Sequence, residues 1–149
     1  MSPFDLKSTL LAPHAQHVVV IHFPIALFII SVAFDFLAFW RKSSALASAA
    51  YYNLLAAAIS ALPALATGLL AWQWQLEGKA LRGTLRLHML FALLASSLIW
   101  LVWWSRSRSR RREQAPTPVS QFVIELFTIT IVALTGHLGG FLSGVNGPL

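Results

Sequence analysis

Four long apolar stretches fill most of this 149-residue chain. Each is close to the length, about 20 residues, that carries an α-helix across a bilayer. They are VVVIHFPIALFIISVAFDFLAFW (18–40), a run within 47–72 ending GLLAW, LHMLFALLASSLIWLVWW (87–104) and VSQFVIELFTITIVALTGHLGGFL (119–142). With 57% hydrophobic and 11% charged residues, so short a chain has too little interior to hide its apolar surface from water. A bilayer is its natural solvent. The links RKSSAL, QWQLEGKALRGTLR and SRSRSRRREQAPTP are short, and short links favour antiparallel neighbours. The expectation is an all-α, membrane four-helix up-down bundle spanning residues 17–142. Residues 1–16 form an N-terminal periplasmic or interfacial segment, and 143–149 a periplasmic tail. The opening MSPFDLKSTLLAPHAQ lacks the basic start and continuous apolar core of a cleavable signal peptide.

Charge sets the expected orientation. Arg41, Lys42, Arg106, Arg108, Arg110, Arg111 and Arg112 fall at one end of the spans, against Lys7, Lys79, Arg82 and Arg86 at the other. Basic residues beside spans stay in the cytoplasm, so both termini are expected on the periplasmic side of a bacterial inner membrane. Trp40, Trp103 and Trp104 mark the inner interface, and Trp72 and Trp74 the outer one, where indoles prefer to sit. The net charge of +6 therefore reflects membrane topology, and no nucleic-acid partner is implied. The absence of cysteine excludes disulfides, thiolate metal sites and covalently attached c-type haem.

The five histidines carry the functional signal. His14 and His17 precede the first span, His22 lies just inside it, His88 opens the third and His137 closes the fourth. His22 is 19 residues from Arg41, His88 is 18 from Arg106 and His137 is 18 from Val119. At the helix rise, all three stand roughly 27 Å above the arginine-rich boundary. Three helices thus present an imidazole at one level, and histidine within a span is a functional hypothesis by default. A b-type haem takes two neutral imidazoles from different helices and no covalent bond. Spans one and three are diagonal in an up-down bundle, so His22 and His88 are the first choice of axial ligands. His137 is the alternate ligand or a propionate partner. Such iron has no open position, so its task is electron transfer, and a carrier or complex subunit is expected sooner than a stand-alone enzyme. Three histidines could instead hold Cu or Zn facing the periplasm, or simply hydrogen-bond to carbonyls and waters at the membrane edge.

Two further patterns bear on packing. Gly136, Gly140 and Gly144 lie four apart in TGHLGGFLSG, and Ala57, Ala61, Ala64 and Gly68 form a similar small-residue row in the second span. Such rows let helices approach closely. Asp35 and Glu125 lie toward the arginine-rich half, where pairing with those arginines or snorkelling to the interface is expected.

The stretch HVVVIHFPIALFIISVAFDFLAF, the closing TGHLGGFLSGVNG and His88 at the start of span three resemble a bacterial four-span transmembrane family catalogued as domain of unknown function 2231. The resemblance covers nearly the whole chain in order. The chain departs from it at Val18, where proline commonly follows the first histidine, and in SGVNGPL, which lacks the histidine often found there. Similar domains occur fused to Rieske iron–sulfur or c-type cytochrome domains. The resemblance therefore implies electron transfer on the outer face, with such redox subunits and membrane lipid as partners. The leading expectation is an integral-membrane b-type haem electron-transfer protein or haem-bearing complex subunit. A cofactor-free accessory subunit of a photosynthetic or respiratory complex is the alternative.

Overall fold

The computed structural model describes residues 13–75, 77–78, 80–111 and 119–144. They form four α-helices: α1 (Pro13–Arg41), α2 (Ser44–Gln75), α3 (Gly83–Arg111) and α4 (Val119–Leu142). All four are long and apolar enough to cross a membrane. The expected all-α bundle is what forms.

Two helices run on where the sequence suggests an interruption. The sequence points to an irregular entry over VVVI and regular helix from about Phe23, yet α1 runs unbroken through Pro24. Proline removes the N–H that would bond to the carbonyl four residues back. Membrane helices tolerate that loss where neighbouring groups re-satisfy the backbone, and Pro24 is buried against the bundle. At the other end of the molecule, the arginine run reads as a connecting segment, but α3 continues through it to Arg111. Arginine is a good helix former, and cations at a helix C-terminus are favoured by the macrodipole.

The α1–α2 hairpin turns on very few residues. Lys42 takes the left-handed conformation (φ 51°), and the Ser43 N–H donates back to the Ala38 carbonyl at 3.1 Å. This is a Schellman stop. Ser43 then caps the next helix, its Oγ accepting from the Leu46 N–H at 3.3 Å. With so short a link the two helices must run antiparallel, and they pack along their whole length: Ser31 bonds to the Ala50 carbonyl near one end, and His17 to Thr67 near the other.

Neighbour contacts close a ring: α1 on α2, α2 on α3, α3 on α4 and α4 on α1. Tyr51 at the start of α2 meets Ser107 at the end of α3. His88 at the start of α3 meets Thr135 near the end of α4, and Phe39 stacks edge-on against Phe122 at 5.7 Å across α1 and α4. Each neighbour is antiparallel, and α1 and α3 are diagonal. The central core is Phe28, Val32, Leu54, Ala57, Ala58, Ala95, Ile99, Val102, Ile131 and Val132. Around it the usual polarity is reversed. Large apolar side chains such as Phe36, Trp40, Val123 and Leu126 face outward, while Ser31, Asp35, Arg106, Gln121, Glu125 and Thr128 are buried. Lipid-facing exteriors and polar interiors of this kind belong to membrane bundles.

Candidate functional site

The histidine end is built on helix seams. His17 lies seven residues before Pro24 and so on the same side of α1 as the buried row Pro24, Phe28, Ser31 and Asp35. Its ring reaches α2, where Nδ1 is 3.2 Å from Thr67 Oγ1. The Thr67 hydroxyl already donates to the carbonyls of Pro63 and Ala64, so His17 is the donor in that contact. Gly68 makes room for the ring: a Cβ there would lie 2.9 Å from His17 Cε1.

His88 does the same between α3 and α4. Its Nδ1 donates to the Thr135 carbonyl at 3.1 Å, and a Cβ on Gly139 would come within 3.1 Å of its Cε1. The glycine that admits a ring is therefore Gly139. Gly136 and Gly144, two members of the row read from sequence, have nothing within 4 Å of a built Cβ, and Gly144 follows the end of α4 at Leu142.

His22 and His137 point elsewhere. His22 is two residues before Pro24, and two residues turn a helix by about 200°, so the ring leaves the outer side of α1. It is exposed and donates Nδ1–H to its own helix, to the Val18 carbonyl at 2.6 Å. His137 is two residues from both Thr135 and Gly139, and is likewise exposed on the far side of α4 from His88; its ring stacks edge-on against Phe141 at 4.9 Å. The side chain of His14 lies outside the described set. The three imidazoles at one level thus leave their helices in different directions. No group of three or more histidine, cysteine, aspartate or glutamate side chains that could hold a metal ion gathers among the described residues.

A second site was not anticipated as one. Arg106 reads as a loop charge in the sequence, yet it is buried, and it forms an ion pair with Asp35 across the diagonal of the bundle. Glu125 of α4 joins them, buried to 1% exposure and in electrostatic contact with both Asp35 and Arg106. Gln121 donates to Glu125 Oε1 at 3.2 Å. Pairing of Asp35 with one of the arginines at this end was the expectation, and it occurs in the buried core. Three atoms of the cluster have no hydrogen-bond partner among the described residues: Asp35 Oδ2, Glu125 Oε2 and Arg106 Nη1.

Signals for this cluster were available. Gln121, Glu125 and Thr128 are spaced four and three apart, Ser31 and Asp35 four apart, and Arg106 continues the buried row Ala95, Ile99, Val102 of α3. All are helix-face spacings.

A bundle of four apolar spans, with charge at its centre and imidazoles around one end, defines a small multi-pass membrane protein. Residues 13–147 match the family described as "Predicted membrane protein (DUF2231)", and the chain belongs to that family. No curated protein and no solved structure gives a significant match.

Proposed function

We propose that this protein is a membrane subunit of a redox assembly that carries b-type haem at its histidine end, with His22 and His88 as ligands and His137 as the alternate. One observation supports it. His22 and His88 each donate Nδ1–H to a backbone carbonyl, which in a neutral ring leaves Nε2 as the acceptor lone pair. Metal-binding histidines are prepared in this way, the second nitrogen fixing tautomer and ring orientation. The donor chemistry fits an axial ligand, and the chain has no cysteine to offer instead. Haem held by two imidazoles supplies one-electron transfer.

The placement of His22 shapes the proposal. Because that ring faces outward, away from the α3–α4 seam that holds His88, the two histidines would serve separate haems, the one on His22 at the surface of the bundle and against another subunit. A Rieske-like or c-type cytochrome subunit is the proposed neighbour, in a bacterial inner membrane. Reduced-minus-oxidised spectra of membranes containing the protein, and of the protein purified from them, test this. A b-type α-band is expected, lost or shifted in His22→Ala and His88→Ala but unchanged in His14→Ala. A folded protein with no such band in either preparation would overturn the reading.

The second reading is a cofactor-free subunit of a larger membrane complex. It is favoured by His17 and His88, whose rings fill notches at Gly68 and Gly139 as helix–helix contacts. Here His88→Ala weakens the bundle with no spectrum to lose, and the protein co-purifies with redox subunits while spectrally silent.

A further inference from the structure

The buried cluster of Asp35, Arg106, Glu125 and Gln121 has an unbalanced charge. Asp35 comes from α1, Arg106 from α3, and Glu125 and Gln121 from α4. Among the described side chains of α2 the buried ones are all apolar, and Tyr51, a titratable neighbour on α2, is hydrogen-bonded to Ser107. Two carboxyl groups therefore face one guanidinium. With both acids ionised the cluster carries a net negative charge inside a membrane bundle, where an uncompensated ion costs several kcal/mol.

The hydrogen-bond pattern locates what is missing. Arg106 engages Oδ1 of Asp35, and Gln121 donates to Oε1 of Glu125. The remaining oxygen of each acid, Asp35 Oδ2 and Glu125 Oε2, is buried and has no hydrogen-bond partner among the described residues, and the two carboxyls are close enough to interact with one another. Two orphaned acceptors cannot satisfy each other, and a hydrogen bond from the orphaned Nη1 of Arg106 to one of them would leave the cluster's net negative charge in place. One hydrogen between them satisfies both, and it also brings the cluster to neutrality.

We infer that the cluster is a proton-binding site, holding one proton on Oε2 of Glu125 and directing it to Oδ2 of Asp35, which stays ionised against Arg106. Glu125 is the proton carrier because its sibling acid already has the guanidinium. The apolar core of Phe28, Leu54, Ile99 and Val132 lies between this site and the histidine end, so the proton exchanges with the arginine end of the bundle. The inference does not depend on haem.

Infrared spectroscopy of the full-length protein in lipid nanodiscs at neutral pH tests it. The wild type is expected to show the carbonyl stretch of a protonated carboxylic acid, shifted in deuterium oxide. Glu125→Gln, an isostere of the protonated acid, removes that band and keeps the fold. Asp35→Asn also removes it, because Glu125 then ionises to balance Arg106. Arg106→Gln roughly doubles it, since two acids without a base each need a proton. A wild-type spectrum without the band, with or without bound sodium in its place, overturns the proposal whatever the variants do. So does a band that survives Glu125→Gln.

Discussion

The two ends of the bundle use their polar residues in opposite ways. At the arginine end, polar side chains from α1, α3 and α4 turn inward and meet at one place, with Asp35 and Glu125 each 1% exposed. At the histidine end, the rings are divided among separate seams: His17 between α1 and α2, His88 between α3 and α4, and His22 and His137 outside. The first end ties the diagonal helices α1 and α3 together. The second ties each of them to its hairpin partner. The difference teaches that a shared depth along helices says nothing about a shared centre, since direction around each helix decides who meets whom.

The sharpest way to break this contrast is to remove Arg106. Breaking a buried pair by deleting one partner costs about 3–5 kcal/mol, here because Asp35 must take up a proton at neutral pH once its guanidinium is gone. Arg106→Ala is therefore expected to lower stability in mild detergent by about that amount, read from denaturant or thermal unfolding. Adding Asp35→Asn to it should recover part of the loss. If the single variant unfolds like the wild type, the arginine end is not the fastening that its burial implies.

Span number and helix class were legible because hydropathy is a one-dimensional quantity. Family membership was legible from HVVVIHFPIALFIISVAFDFLAF and the final glycine motif. What was missed concerns angle. His22 stands two residues from the buried Pro24 and His17 stands seven, which turns His17 inward and His22 outward. Arg106 was absorbed into the block SRSRSRRR, although it continues the 95, 99, 102 row of α3. In both cases a charge or ring was assigned by its neighbours in sequence, while the position modulo one helical turn decided its surroundings. Which glycine admits a ring was not legible at all: Gly136, Gly139 and Gly140 crowd one segment, and only the direction from which His88 arrives selects Gly139.

The histidine end yields smaller effects, and they sharpen the comparison by seam. Gly68→Ala sets a methyl 2.9 Å from His17 Cε1, and Gly139→Ala sets one 3.1 Å from His88 Cε1. Overpacking of this kind costs about 1–3 kcal/mol, with Gly68 expected to be the worse. Gly136→Ala meets nothing within 4 Å and should be neutral or slightly stabilising, since alanine is favoured over glycine in a helix by up to about 1 kcal/mol. Double-mutant cycles decide whether the rings are the cause. Gly139→Ala should lose most of its cost in a His88→Ala background and keep it in a His17→Ala background. Gly68→Ala should show the reverse pairing. Crossed coupling would mean that the two seams are one unit.

The smallest effect belongs to His22, and it bears most directly on function. The ring is exposed, and its hydrogen bond among the described residues is to the Val18 carbonyl of its own helix. Substitutions away from packed or paired features usually change stability by within about 0.5 kcal/mol. His22→Ala should therefore unfold at nearly the wild-type midpoint when the chain is alone, while His88→Ala, which gives up its interhelical bond to Thr135, should not. That separation makes His22 the clean probe of the haem proposal: a band lost in His22→Ala with the unfolding midpoint unchanged is loss of a ligand, not loss of the bundle. A large drop in midpoint for His22→Ala in protein without haem would instead show that its ring supports the fold, and the outward placement on which the two ends differ would have to be abandoned.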